Sequence, residues 1–458
     1  MSDHYHKSGV GVSRRAFLKL SGTTAAAVAA GGCAGIAGSV AAGGTAPSAA
    51  TRSLSRRAHL PKAAGQRVVV VGGGWSGLTI AKYIKKEDPN LDVVLVEKRA
   101  TFMSCPISNL WLAGLVDLEF LTHSFLDAAS NNGYTFFNAT VADVDRVSRR
   151  VYTEQGFVDY DYLVLSPGID YDYPAIGVSA PEQIYALKTR YPAAFIPGSE
   201  HLSLKNKLMD FDGGIFLLTV PSGNYRCLPG PYERTCMVAS VLKRDKIPGK
   251  VVLLDANPDI TIKRDGFHAA FRELYKDYVE YVPSVKITGV DVQRRVVHSE
   301  FGDYPFQDAA IYPRVRASTL IETLGLVDPA SPQKEARIDP FFYHVEGDER
   351  VFVAGDSRPM PYSKSGNTAN SEGKFVAAVV AARANGKDVG KWRSPHTICY
   401  SMVNADPMEA ISVDAQYAYN EKTKSFGFDK VKLFEDRDAA KGAATLEWAR
   451  GLYRDMFS

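Results

Sequence analysis

Residues 67–98 read RVVVVGGGWSGLTIAKYIKKEDPNLDVVLVEK, and this stretch decides the fold. The β-branched run at residues 68–71 has the length of a buried parallel strand. Gly72-x-Gly74-x-x-Gly77 follows at once. Gly72 permits the tight turn, Gly74 lets backbone approach a pyrophosphate, and Gly77 lets the next helix pack close to the strand. The N-terminus of that helix, with Ser76 in its first turn, presents N–H groups and partial positive charge to the phosphates. Residues 91–96 form the next strand. Glu97 closes it, placed to accept a hydrogen bond from a ribose 2′-OH, with Lys98 beside it. A glycine fingerprint alone says little. Between two such strands, with an acid at this distance, it predicts a dinucleotide site.

The chain has 458 residues and a formal charge of +3. Residues 1–63 do not have the pattern of a folded domain. SRRAFLK at residues 13–19 is a twin-arginine pattern, and residues 20–50 are Ala/Gly-rich and weakly apolar. The pattern predicts export to the periplasm by the twin-arginine route, and the apolar run is too poor in Leu, Ile and Phe for a membrane span. Cys33 follows a poor lipobox, so cleavage is favoured over a lipid anchor. This leader carries eight Lys and Arg against Asp3, a charge of +7, which leaves about −4 for the rest. The basic pI therefore reflects the leader and gives no indication of nucleic-acid binding. The remaining four cysteines, Cys105, Cys227, Cys236 and Cys399, would sit in an oxidising compartment. There is no Cys-x-x-Cys-His for c-type haem and no zinc-ligand spacing, so no metal site is expected.

Residues 151–162 have the pattern of a hairpin, and the chain continues into a strand ending in Ser-Pro-Gly at Gly168. Far downstream, RVFVAGD at residues 350–356 is another strand, ending in Gly355-Asp356. Asp356 is expected near the ribityl or pyrophosphate of a flavin nucleotide. A helix from about Asn370, preceded by Ser365, is expected to aim its N-terminus at the flavin. The existence of this second piece favours FAD over NAD. The fold expected is α/β, with two dinucleotide-type domains and a C-terminal domain. The FAD-binding domain spans residues 64–180 and 300–385, a nicotinamide-type domain spans 181–299, and a flavin-covering, partner-facing domain spans 386–458.

The middle domain has strands at residues 214–220 and 250–255, the second closed by Asp255. Its glycine fingerprint is missing. PSGNYRCLPGPYER at residues 221–234 replaces it, a longer, proline-stiffened loop unsuited to close pyrophosphate approach, so NAD(P)H use is not expected. Cys227 lies in that loop, where a second substrate would approach the flavin. Cys236, on the following helix, has the setting of an inert buried thiol. Cys105 before Pro106 is either a small buried residue or a chemical handle on the flavin.

VVVVGGGWSG, SCPISN, RCLPGPYER, PYSKSGNTANSEGK and TICYS together resemble the flavoprotein subunit of flavocytochrome c sulfide dehydrogenases, in the glutathione-reductase-like group that includes sulfide:quinone reductases. The resemblance covers residues 67–458. It implies a thioether from Cys105 to the FAD 8α-methyl carbon and a redox-active cystine of Cys227 and Cys399, for which an ordinary structural disulfide is the alternative. It also implies Glu233 as a base near that cystine, and a c-type, dihaem cytochrome subunit as partner. The activity implied is oxidation of sulfide to sulfur or polysulfide: HS⁻ opens the cystine, the released thiolate adds to flavin C4a, and electrons leave one at a time. Pro106, Cys236 and IYPRVR at residues 311–316 depart from the expected pattern. A sulfide:quinone oxidoreductase is the alternative enzyme, and an electron-transfer flavoprotein with a structural cystine the alternative outside catalysis. The charged stretch from residue 426 onward suits a soluble partner-docking face better than a membrane patch.

Overall fold

The computed structural model describes residues 56–458. The twin-arginine pattern and Cys33 lie outside the described residues. The first unit begins with strand β1 (Arg67–Val71), helix α1 (Trp75–Glu87), β2 (Asp92–Glu97), β3 (Thr135–Asn138) and β4 (Tyr162–Leu165). The central unit follows, with β5 (Gly214–Val220), α2 (Gly230–Arg244), β6 (Gly249–Asp255), α3 (Arg264–Glu273), β7 (Val279–Val282) and β8 (Asp308–Ala310). The chain then returns through β9 (His344–Val345), β10 (Asp348–Val353) and α4 (Gly366–Ala384). It ends with β11 (His396–Ala405), β12 (Met408–Asn420), β13 (Ser425–Asp438) and α5 (Ala439–Phe457).

The first sheet has the order β9-β10-β4-β1-β2-β3, parallel throughout except for the β9–β10 hairpin. All five residues of β1 are buried, because it lies between β2 and β4 at the centre of the sheet and packs on α1, so it has no polar side. β10 enters this sheet beside β4, and that pairing makes the first and late segments one domain, as the sequence indicates. The central sheet, β7-β6-β5-β8, is also parallel. The C-terminal sheet is an antiparallel meander of β11, β12 and β13.

Three boundaries differ from the sequence reading. Residues 56–61 were expected outside the fold, yet Ala58 is buried and its N–H donates to Phe157 O at 2.8 Å. The exposed edge of the hairpin at Gly156–Asp159 offers unpaired backbone groups, and this segment satisfies them. The central unit runs past residue 299, since β8 adds to its sheet by pairing with β5. Helix α4 starts at Gly366, one turn before Asn370, because Ser365 caps it, its hydroxyl accepting from Thr368 N.

Around the glycine turn, the expected division of labour is visible in the space each glycine has. Gly72 has φ of +99°, and a side chain there would meet Ser166 O at 2.3 Å. A Cβ on Gly77 would lie 1.8 Å from Gly72 O, so helix and strand approach at glycine distance only. A Cβ on Gly74 would meet nothing within 4 Å, since that side of the turn faces a cavity. Gly77→Ala is therefore expected to destabilise the folded chain by about 1–3 kcal/mol through overpacking. Gly74→Ala should cost less than about 1 kcal/mol. Denaturant unfolding of both variants, stripped of any ligand, checks this; equal midpoints would contradict it.

Candidate active site: a cavity shared by a glycine turn and three cysteines

One cavity of about 600 Å³ runs from the glycine turn to the C-terminal sheet. That size is typical of cofactor pockets. At one end it is lined by Gly72, Gly74, Ser76, Glu97 and Lys98, and in the middle by Gly168, Gly355, Asp356 and Ser365. Cys105, Cys227, Glu233 and Cys399 line the far end. Gly77 does not line it; its role is the close packing described above. Asn370, expected among the cofactor contacts, is not there either. Its amide donates to Thr79 Oγ1 and to Asp455 Oδ2, both at 2.9 Å, so it ties α4 to α1 and α5 behind the cavity.

Several features of the cavity suit a flavin dinucleotide. Gly74 leaves its turn open on the cavity side, where pyrophosphate would approach. The N-termini of α1 and α4 both reach the cavity wall, through Trp75 and Ser76 and through Ser365 and Gly366. The indole N–H groups of Trp75 and Trp448, both on cavity-lining residues, are buried and have no partner among the described residues. Glu97 sits at the end of β2 and is already engaged: it accepts from Gly73 N at 2.7 Å and from Arg99 N and Nε at 2.9 Å. Burial opposes its charge, but Arg99 and these N–H groups outweigh it and hold the carboxyl below its ordinary range. A ribose hydroxyl would bind this carboxylate in exchange with the Arg99 guanidinium, a partner the sequence reading did not include.

Asp356 also has a protein partner. Its Oδ2 accepts from Arg226 Nε at 2.6 Å, an ion pair joining the loop after β5 to the loop after β10. Beside it, Cys227 N donates to Lys364 O at 2.8 Å, and Lys364 Nζ donates to Asp356 O at 2.8 Å. Cys227 itself has φ of +60°, a left-handed conformation uncommon for a residue with a side chain and frequent at functional sites. A Cβ on Gly230 would come within 2.8 Å of Cys227 Sγ, so glycine is required where α2 begins.

Cys105, Cys227 and Cys399 are half-buried, unbonded thiols. Cys227 and Cys399 both line the one cavity, and no bond joins them in the structure. Burial raises both thiols first of all; the neighbouring Cys399 then adds to the rise at Cys227, while Lys263 opposes it at Cys399. Cys236 is fully buried on α2 and does not reach the cavity, in keeping with an inert thiol.

Glu233, on the first turn of α2, is 8 % exposed and accepts at both oxygens. Oε2 takes Asn109 Nδ2 at 2.7 Å and Oε1 takes Met402 N at 2.8 Å, so one carboxylate joins the SCPISN segment, α2 and β11. Burial raises its pKa, which is the direction a proton-handling carboxylate near neutral pH requires. Sequence reasoning missed the groups around it. Asn109 Oδ1 accepts from Arg234 Nε at 3.0 Å, while Arg234 also donates to the Ala193 and Ala194 carbonyls at 2.5 and 2.6 Å. Lys263 Nζ donates to Ser401 Oγ at 2.6 Å. Arg226 and Arg234 stand inside a motif already singled out, so their proximity to Cys227 and Glu233 was a usable signal; Lys263 lies in no motif.

In the central unit the position of a nucleotide ribose is closed. Asp255 is fully buried and accepts from Tyr232 OH at 2.7 Å, Tyr281 OH at 3.0 Å and Asn257 N at 2.8 Å. Among the described residues, no group of His, Cys, Asp and Glu could hold a metal ion, and no helix is long and apolar enough to cross a membrane.

Comparison with known proteins gives three family matches along the chain. Residues 66–191 match pyridine nucleotide-disulphide oxidoreductases. Residues 202–311 match the central domain of the sulfide dehydrogenase (flavocytochrome c) flavoprotein chain. Residues 394–457 match the flavin-binding domain of flavocytochrome c sulphide dehydrogenase. The sulfide dehydrogenase flavoprotein chain of Chlorobaculum thiosulfatiphilum is 54% identical over 44 residues, 10% of this chain and 92% of that sequence. The mitochondrial sulfide:quinone oxidoreductase of Mus musculus is 22% identical over 356 residues, 75% of this chain and 72% of that one. Among solved structures, the sulfide:quinone oxidoreductase of Aquifex aeolicus has the same fold, with a TM-score of 0.68 at 15% identity over 86% of this chain and 92% of that one. With a glycine-turn domain, a central domain and a flavin-binding C-terminal domain all accounted for, the chain belongs to the flavoprotein family of flavocytochrome c sulfide dehydrogenases and is an oxidoreductase.

Proposed function

We propose that this protein oxidises sulfide in the periplasm through a Cys227–Cys399 redox pair and passes the electrons, by way of FAD, to a c-type cytochrome. The observation that carries the reading is the single cavity in which the glycine turn, Cys105, Cys227, Cys399 and Glu233 meet. FAD fits the cradle formed by Gly74, Glu97 and the N-termini of α1 and α4, with its redox-active end toward the cysteines. When bound, it supplies a two-electron acceptor that can release electrons singly, as a haem partner requires.

The chain's own residues do the rest. Cys105 lines the cavity, half-buried, where it can tether the cofactor covalently. In the oxidised pair, HS⁻ attacks one sulfur and the other departs as thiolate. Glu233, held by Asn109 and Met402 N with its pKa raised by burial, takes and returns the proton at this end of the cavity. The Phe195 ring stacks on Tyr312 at 3.9 Å between centroids, and Tyr312 OH donates to Arg226 O at 2.9 Å, which supports the Cys227 loop from behind.

Two features support a cytochrome rather than NAD(P)H as the electron partner. The loop after β5 has no glycine fingerprint, and Asp255 has no free oxygen facing solvent. The edge strand β13 exposes Phe428, Val431, Leu433 and Phe434, interleaved with Lys430 and Lys432. The sequence reading saw only the charges there; the mixed face suits a protein partner. Export is supported by the SRRAFLK segment at residues 13–19.

Anaerobic titration of the holoprotein with sulfide is expected to bleach the oxidised flavin near stoichiometry. Cys227→Ser and Cys399→Ser should each retain FAD and lose that bleaching; a fully active serine variant at either position refutes the redox pair. Glu233→Gln should slow the bleaching by about 10²–10⁴-fold, the usual worth of a positioned proton-transfer group. Acid precipitation should carry the yellow colour into the pellet, and Cys105→Ser should release it to the supernatant. NADH without sulfide should leave the flavin oxidised, and rapid bleaching by NADH would overturn the closed nucleotide site.

A further inference from the structure

Lys263 is 1 % exposed, yet no carboxylate lies within ion-pair distance of it among the described residues. A buried ammonium without a direct ion pair is costly and is kept where its charge acts on other groups, here Glu233 and the thiols of Cys227 and Cys399. It precedes α3 in a left-handed conformation, φ +54°, which turns its side chain toward β11. There its Nζ donates to Ser401 Oγ at 2.6 Å and lies 3.4 Å from the Cys399 carbonyl oxygen. Cys399 and Ser401 are two apart on β11, so both project to the same face of the sheet, and both line the cavity. The Cys399 thiol donates to Tyr400 O at 3.5 Å, and with an oxygen lone pair engaged by Lys263 the Ser401 hydroxyl has its proton available to the sulfur once that thiol is ionised.

We propose that Lys263 is a positioning residue which, directly and through Ser401, holds Cys399 as the thiolate of the pair and so directs incoming sulfur to Cys227. The proposal rests on the sulfide-oxidising reading above. The step balances as HS⁻ + Cys227–S–S–Cys399 → Cys227–S–SH + Cys399–S⁻: the cystine bond breaks, a new S–S bond forms on Cys227, and the electron pair and negative charge leave on Cys399. In such exchanges the thiol of lower pKa departs faster.

The groups facing the pair are unequal in the required sense. At Cys399 burial raises the pKa first, Lys263 opposes it most among the charges, Ser401 helps, and Glu233 works the other way. At Cys227 burial, Cys399, Cys105 and Glu233 all raise it, with Lys263 alone opposing among these groups. Glu233 acts against Lys263 at both cysteines, so the difference between them rests on the bonds of Lys263 to Ser401 Oγ and to the Cys399 carbonyl, which reach the Cys399 segment alone. Arg226 is matched by Asp356, and Arg234 is bound to carbonyls and Asn109.

The test is the pH dependence of alkylation at each cysteine in the anaerobically reduced holoprotein, with iodoacetamide and peptide mass spectrometry. The unaltered protein should label Cys399 with a lower pH midpoint than Cys227. Lys263→Met should raise the Cys399 midpoint by a unit or more, about a tenfold loss of thiolate at a given pH, and Lys263→Arg should restore most of it. An unchanged Cys399 midpoint in Lys263→Met overturns the proposal. Should that variant not fold, judged by FAD content, Ser401→Ala decides in its place: an upward shift in Cys399 supports the relay, and no shift overturns it. Brief sulfide treatment followed by alkylation should place the extra sulfur on the Cys227 peptide; recovery on Cys399 overturns the direction. The alkylation profile needs no sulfide, so an intact profile with a flavin that sulfide leaves oxidised would remove the sulfide reading and leave Lys263's hold on Cys399 standing.

Discussion

The ion pair between Arg226 and Asp356 is the interaction on which the site depends. It spans the two dinucleotide-type units, and nothing in either unit alone would bring Cys227 to the cavity. Its distance of 2.6 Å and its burial put it among charge-assisted bonds worth about 1.5–3 kcal/mol. The left-handed backbone at Cys227 costs about 1–3 kcal/mol. The ion pair, with the bonds from Cys227 N to Lys364 O and from Gly230 N to Cys227 O, is of the size needed to hold that conformation. Lys364 is itself anchored by Glu335 at 2.6 Å, so the strained residue leans on a buried, paired lysine rather than on a mobile loop.

The same cross-linking logic places Glu233. Its two oxygens accept from Asn109, which follows Cys105 on the first unit, and from Met402, which follows Cys399 on the C-terminal sheet. A carboxylate on the central unit therefore sets the separation of the other two cysteine-bearing segments. Its raised pKa and its structural role have one cause, removal from water. Protonation would keep the bond from Met402 N and weaken the charge-assisted part of the bond from Asn109, so proton transfer here can occur without loosening the cavity.

The residues legible in the sequence were those whose task is set by local backbone. Gly72, Gly74 and Gly77 do within a few residues what their spacing implies, and the strands on either side confirm the period. Strand β10 was legible because it ends in Gly-Asp after an apolar run. The position of helix α4 was misread by one turn, since Ser365 caps it through a hydroxyl that competes with no visible breaker, and Asn370 faces away from the cavity as a result. Asp356 lines the cavity, and its cation, 130 positions earlier in the chain, was not legible. Lys263 gave no signal at all. A lysine in a polar loop is solvent-exposed by default, and only the approach of β11 over α3 buries it.

The central unit keeps the fold of a nucleotide domain with a different loop after its first strand. Strands β5 and β6, the helix between them and a terminal acid are all present, so the scaffold still obeys the packing rules of a parallel sheet. The acid at the end of β6 is covered by Tyr232 from α2 and Tyr281 from β7, whose hydroxyls take the bonds a ribose would take. Tyr232 precedes Glu233 on the helix, and Tyr225 precedes Arg226 and Cys227 on the loop. The segment that covers Asp255 is therefore the segment that carries Cys227, Arg226 and Glu233. In this chain the loop after β5 that carries Cys227 thus stands where a pyrophosphate turn would follow the strand, and the same few residues tie the central unit to Asp356, Lys364 and Asn109.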